Sequence, residues 1–202
     1  MKLPSQLKNG FALILALALL ASCNYARYSP DNDPQAMNSG DVQMLNYTPW
    51  YIHTAEIDGP DGSGVSGGGP NVMPAESGSH PSGGGKAMCC MSYPSVWQPD
   101  LKVTVRWLVF KDVKKLGAKA PGDWYKAENV RIAKYDGKKT AGAWLIFLPD
   151  DRVRLMVVDG NHDGGNNANN RPPDDDPLIV KGVVDKQWNE QFPNGVARGI
   201  QR

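Results

Sequence analysis

Past residue 22, no stretch of this 202-residue chain sustains a helical 3.6-residue period, whereas residues 101–110 open with a clean period of two. Leu101, Val103, Val105 and Trp107 fall on one side of that run, and Lys102, Thr104 and Arg106 on the other. A segment patterned this way buries one face of a strand and wets the other. Residues 87–93, 124–135, 143–148, 152–158 and 178–184 are further strand candidates, and 46–58 is one despite Pro49. Pro149-Asp150-Asp151 joins two of them as the short turn of a hairpin. Residues 188–192 leave room for one closing turn of helix. The pattern predicts an all-β domain, an antiparallel β-sandwich or open barrel.

Residues 59–85 interrupt that pattern. They hold ten glycines together with Pro60, Pro70, Pro74 and Pro81, a composition in which no strand or helix pattern survives. A long glycine-rich loop is expected there. Loops of this length inside a compact domain are uncommon and tend to carry function.

The N-terminus sets the compartment. Lys2 and Lys8 precede ten apolar residues, 11–20, and then Leu20-Ala21-Ser22-Cys23. That is a basic region, a short apolar core and small residues before a cleavage point, the form of a secretory signal peptide. The apolar run is too short to span a bilayer, which needs about 20 residues. Leu-Ala-Ser-Cys resembles the bacterial lipobox, which implies cleavage before Cys23 and acylation of its thiol and new amino group. Asn24 follows in place of the Asp that resembles an inner-membrane retention signal, so outer-membrane sorting, facing the periplasm, is expected. The boundaries read as signal peptide 1–22, lipidated N-terminus and flexible tether 23–44, and a single β domain 45–202. The polar residues 24–44, with Pro30 and Pro34, show no periodicity.

Loss of the signal takes Lys2 and Lys8 and turns a formal charge of +1 into −1. No basic cluster interleaves with aromatics, so no nucleic-acid partner is expected. With Cys23 acylated, Cys89 and Cys90 remain, an adjacent pair in an oxidising compartment. Two readings stay open: a vicinal disulfide at a kink, or two thiols with one in the core. No zinc-type spacing links the pair to His53 or His80.

Gly64-Val65-Ser66-Gly67-Gly68 fits the G-x-S-x-G hydrolase pattern, but that chemistry needs a strand–turn–helix around the serine, and no helix pattern follows. Asp159-Gly160-Asn161-His162-Asp163-Gly164 fits the opening of a calcium loop, with Asn170 where the bidentate Glu belongs. Calcium held by Asp159, Asn161, Asp163 and a carboxylate from residues 174–176 is one reading, and a polar turn is the other. His53, His80 and His162 have no partner at diagnostic spacing. No catalytic set emerges, so no enzyme is expected, and no cofactor beyond that calcium.

The lipobox, Asn46-Tyr47-Thr48, Gly83-Gly84-Gly85 leading into Cys89-Cys90, 94–99 (Pro-Ser-Val-Trp-Gln-Pro) feeding the strand at 103–107, and Phe147-Leu148-Pro149-Asp150 form an ordered series. Over residues 45–184 the series resembles an uncharacterised family of proteobacterial lipoproteins defined by a domain of unknown function. Its members are often encoded beside type VI secretion phospholipase effectors, and some are taken as immunity proteins. The resemblance implies an anchored protein that binds and inhibits such an effector, with Trp50, Trp97 and Arg106 as candidate anchors. The competing expectation is an envelope-maintenance lipoprotein that binds a cell-envelope component.

Overall fold

The alternation in residues 101–110 becomes the central staves of a barrel. The computed structural model describes residues 36–77, 80–117, 120–160 and 166–193. In chain order the elements are β1 Met37–Asn46, β2 Tyr51–Asp58, β3 Ser66–Gly69, β4 Ser82–Pro94, β5 Lys102–Phe110, α1 Val113–Leu116, β6 Asp123–Arg131, β7 Ala143–Leu148, β8 Arg152–Val157, β9 Val180–Lys181, β10 Val183–Val184 and α2 Lys186–Gln191. These strands form one sheet in the order β10-β6-β5-β2-β3-β4-β1-β7-β8-β9.

The two outermost strands of that order are one piece of chain. Val180 and Lys181 pair with Val153 and Arg152, whereas Val183 and Val184 pair with Lys126 and Tyr125. Gly182 alone separates them, and its N–H donates to the Asp151 carbonyl at 2.7 Å. Residues 180–184 therefore strap β8 to β6 and close the sheet into a nearly complete barrel, which removes exposed edges. The all-β class expected from sequence holds, in its barrel form.

Four sequence expectations change. The sheet is mixed rather than antiparallel, because β1 runs parallel to β7 with Val42 opposite Ala143 and Asn46 opposite Phe147. Alternation reports which face a residue takes and is blind to strand direction. The tether does not reach residue 44, since Met37–Asn46 is an inner strand between β4 and β7. Its first half is polar, and only from Val42 do buried positions dominate, which hid the strand. The candidate at 46–58 splits into the end of β1, a turn, and β2. Buried Asn46 organises that turn: its amide donates to the carbonyls of Trp50 and Met73, and its oxygen accepts from the Thr48 N–H and hydroxyl.

The fourth change concerns the glycine-rich segment, which contributes β3 and the start of β4. A ladder needs only backbone groups, so glycine can pair where the wall leaves no room for a side chain. A Cβ on Gly67 would stand 2.8 Å from the Met91 Cβ, and one on Gly69 would meet the Met44 side chain.

Inside the barrel, Val42, Met44, Val103, Val105, Trp107, Val109, Leu145, Phe147, Val153 and Leu155 share one core. Outside it, two further clusters form. Ile146, Leu148 and Met156 pack with Ala168, Leu178 and Ile179, and Leu108 and Trp124 pack with Trp188 and Phe192. β7 is accordingly apolar at almost every position because both of its faces are covered.

Candidate functional site

Those two outer clusters leave the outer face of β4 bare among the described residues. Val158, Ala168, Leu178 and Ile179 cap β7 and β8, and α2 caps β5 and β6. Across β3, β4 and β1, by contrast, residues 85–90 of β4 are exposed without a break: Gly85, Lys86, Ala87, Met88, Cys89 and Cys90. Met88 is 41% exposed, and Gly68 on the neighbouring strand holds no side chain over it, with its Cβ position 3.7 Å from the Met88 sulfur. This sector combines Ala87, Met88 and the cysteine pair with polar Lys86, and Asp41 and Gln43 of β1 lie beside it.

Cys89 and Cys90 end the exposed run, just before buried Met91. Their sulfurs meet as a vicinal disulfide across a cis peptide, with the Cα atoms 3.1 Å apart. Gly40 pairs with Met91 and Val42 with Met88, so two residues of β4 stand opposite the single Asp41 of β1. That is a β-bulge, and it turns the cysteine pair outward together where a regular strand would point one in and one out. The two cysteines stand close together at a kink, and neither side chain enters the core. Nothing in the sequence marks Asp41, which lies in a polar stretch without periodicity.

The three candidate anchors do not share a surface. Trp50 sits beside the end of β5: the Lys111 ammonium lies 4.1 Å from its ring centre, 4.5 Å from that of Tyr125, and 2.8 and 3.0 Å from the two Asp151 carboxylate oxygens. Burial would lower the Lys111 pKa, but the Asp151 carboxylate and Tyr125 hydroxyl outweigh it and hold it above its usual value. Trp97 stands at the opposite end, before β5 begins, and its indole N–H donates to the Ile132 carbonyl at 3.0 Å. It lines a cleft of about 700 Å³ with Asn38, Val96, Lys134 and Lys138. At the back of that cleft the Tyr135 hydroxyl donates to the Pro94 carbonyl at 2.6 Å, and burial, then Tyr93, push its pKa above the usual tyrosine range. Arg106 lies on the outer wall between these ends. It donates to Asp58 at 2.7 Å and to buried Asp185 at 3.1 Å, and its guanidinium covers the Trp188 ring at 4.8 Å. Each of the three side chains makes a contact within the chain.

Ser66 opens β3 and is followed by strand, so the strand–turn–helix of a nucleophile elbow does not form there. His53 meets the Tyr51 hydroxyl at 3.2 Å and His80 the Ser77 hydroxyl at 3.3 Å. Of the calcium candidates, Asp159 accepts from the Asp136 N–H at 3.2 Å. Asn161 and Asp163 lie outside the described residues, as does Cys23.

A ten-strand mixed barrel with one bare, disulfide-bearing wall is thus the class of protein these residues define. The chain belongs to the family described as "Protein of unknown function (DUF3304)", whose profile matches residues 45–155, more than half of its length. The match runs from the end of β1 into β8 and stops short of residue 184, leaving the strap and α2 outside. The family description assigns no activity, partner or location. No curated protein and no solved structure matches the chain.

Proposed function

We propose that this protein is an outer-membrane lipoprotein, anchored through Cys23 and facing the periplasm, that acts as an immunity protein against a type VI secretion phospholipase effector. The bare outer face of β4 is the observation that carries the binding half of this reading. A sector with exposed Ala87, Met88 and a cysteine pair suits a protein partner. The partner class comes from the family resemblance, and the compartment comes from the Leu20-Ala21-Ser22-Cys23 signal. An effector released into the periplasm attacks the membrane from within, and an acyl anchor concentrates its neutraliser at that surface. A stable complex needs roughly 800 Å² from each partner, within the reach of a wall several strands wide.

The test is periplasmic expression of the cognate phospholipase with and without this protein. Full protection is expected from the wild type. Met88→Glu should lose it, and Leu116→Glu, an exposed change on α1, should keep it. Cys23→Ala should lose fatty-acid labelling together with protection. If the wild type neither protects nor binds the purified effector, the immunity reading is wrong.

The second reading, an envelope-maintenance lipoprotein, is favoured by the Trp97 cleft. A half-buried indole beside Lys134, Lys138 and Asn38 is a platform for a cell-envelope glycan or headgroup. Trp97→Ala would then abolish binding to isolated envelope fragments and leave effector neutralisation untouched.

A further inference from the structure

The bulge brings three potential metal ligands together on the bare wall. Asp41 of β1 and Cys89 and Cys90 of β4 each offer one ligand atom, and the three atoms lie within 4.8 Å of one another. All three residues are exposed, so an ion reaches them without any rearrangement of the core. As the disulfide, the pair offers no thiolate and holds no ion. We infer that its reduced form is a zinc-binding site with a two-sulfur, one-oxygen ligand set.

The redox step balances as ordinary thiol–disulfide exchange. An external dithiol gives two electrons and two protons to the Cys89–Cys90 bond and is itself left as a disulfide. Zinc then displaces the two thiol protons to solvent and is bound by two thiolates and the Asp41 carboxylate. Two Zn–S bonds of ~2.3 Å at a tetrahedral angle set the sulfurs roughly 3.8 Å apart, so the pair must open from the disulfide to hold the ion. Sulfur ligands select zinc over calcium or magnesium, which require oxygen. The fourth position faces solvent and takes water. The ion would bridge β4 to β1 at one of the two places where their ladder is interrupted. This inference stands independently of the phospholipase reading, since it concerns residues of this chain alone.

Cobalt(II) is the probe, because its thiolate complexes absorb where the free ion does not. Full-length protein, purified in detergent and reduced anaerobically with a phosphine, should develop a thiolate-to-cobalt absorption that saturates at one equivalent and is bleached by zinc. The oxidised protein should develop none. Asp41→Asn keeps both thiols and should weaken binding at least tenfold, whereas Cys89→Ser should remove the absorption. Far-ultraviolet circular dichroism should be the same before and after reduction. The inference is overturned by absence of the band in reduced protein, by equal affinity in Asp41→Asn, by equal binding in the oxidised form, or by loss of fold on reduction.

Discussion

The Trp107 indole lies against Gly182, occupying the space a Cβ there would fill. Trp107 belongs to the interior core, and Gly182 is the midpoint of the strap that joins the two ends of the sheet. The lack of a side chain at residue 182 is thus what lets the barrel close over its largest interior ring. The Lys126 carbonyl, 3.1 Å from the same position, blocks any sideways escape.

Gly182→Ala should cost about 1–3 kcal/mol through overpacking against that ring. Urea denaturation should show a lower midpoint with an unchanged slope. Trp107→Leu in the same chain should recover part of the loss, since the two changes share one space. A Gly182→Ala protein as stable as the wild type would mean that the strap does not close the barrel.

Arg106 holds two carboxylates of very different worth. Asp185 is buried, caps α2 by accepting from the Trp188 N–H, and pairs with Arg106. Asp58 is half exposed. Asp185→Ala should therefore cost about 2–4 kcal/mol, combining a lost cap with a broken buried pair. Asp58→Ala should cost no more than about 1 kcal/mol. Thermal melts of the two variants side by side decide this, and equal losses would show that burial does not rank the two pairs.

Alkaline pH should loosen both ends of the barrel. Lys111 and Tyr135 each hold a proton more tightly in the folded state than in the unfolded chain, where their usual values are 10.5 and 10.0. Their contribution is fully present below those values and is lost as pH rises from there through the folded-state values. The melting temperature should fall above about pH 10. Tyr135→Phe should be about 1 kcal/mol less stable at neutral pH, having lost the donor to the Pro94 carbonyl, and should show a shallower alkaline fall. The same alkaline slope in both proteins would remove Tyr135 from the account.

What could be read in the sequence was local. Val103, Val105 and Trp107 alternate over a span in which each neighbour's face is set by its own residue, and the hairpin of β7 and β8 turns on Pro149-Asp150-Asp151. There Asp150 and Asp151 take positive φ (64° and 59°), which this residue type tolerates. The closing helical turn expected at residues 188–192 forms two residues earlier, at Lys186–Gln191, because the Asp185 side chain caps it.

The tertiary structure decided whatever depends on a partner distant in sequence. β1 is polar along its first half and becomes a strand because β4 and β7 flank it on either side. The glycines of β3 pair because Met44 and Met91 leave their positions no room for a side chain. Asp41 meets Cys89 and Cys90 only through a register shift between strands more than forty residues apart. Trp50, Trp97 and Arg106 have the composition of binding anchors, but the barrel had already assigned each to an internal contact. Side-chain chemistry and period fixed which segments could be strands. Pairing order, register and closure are set by long-range packing, and those placed the bare wall and what it carries.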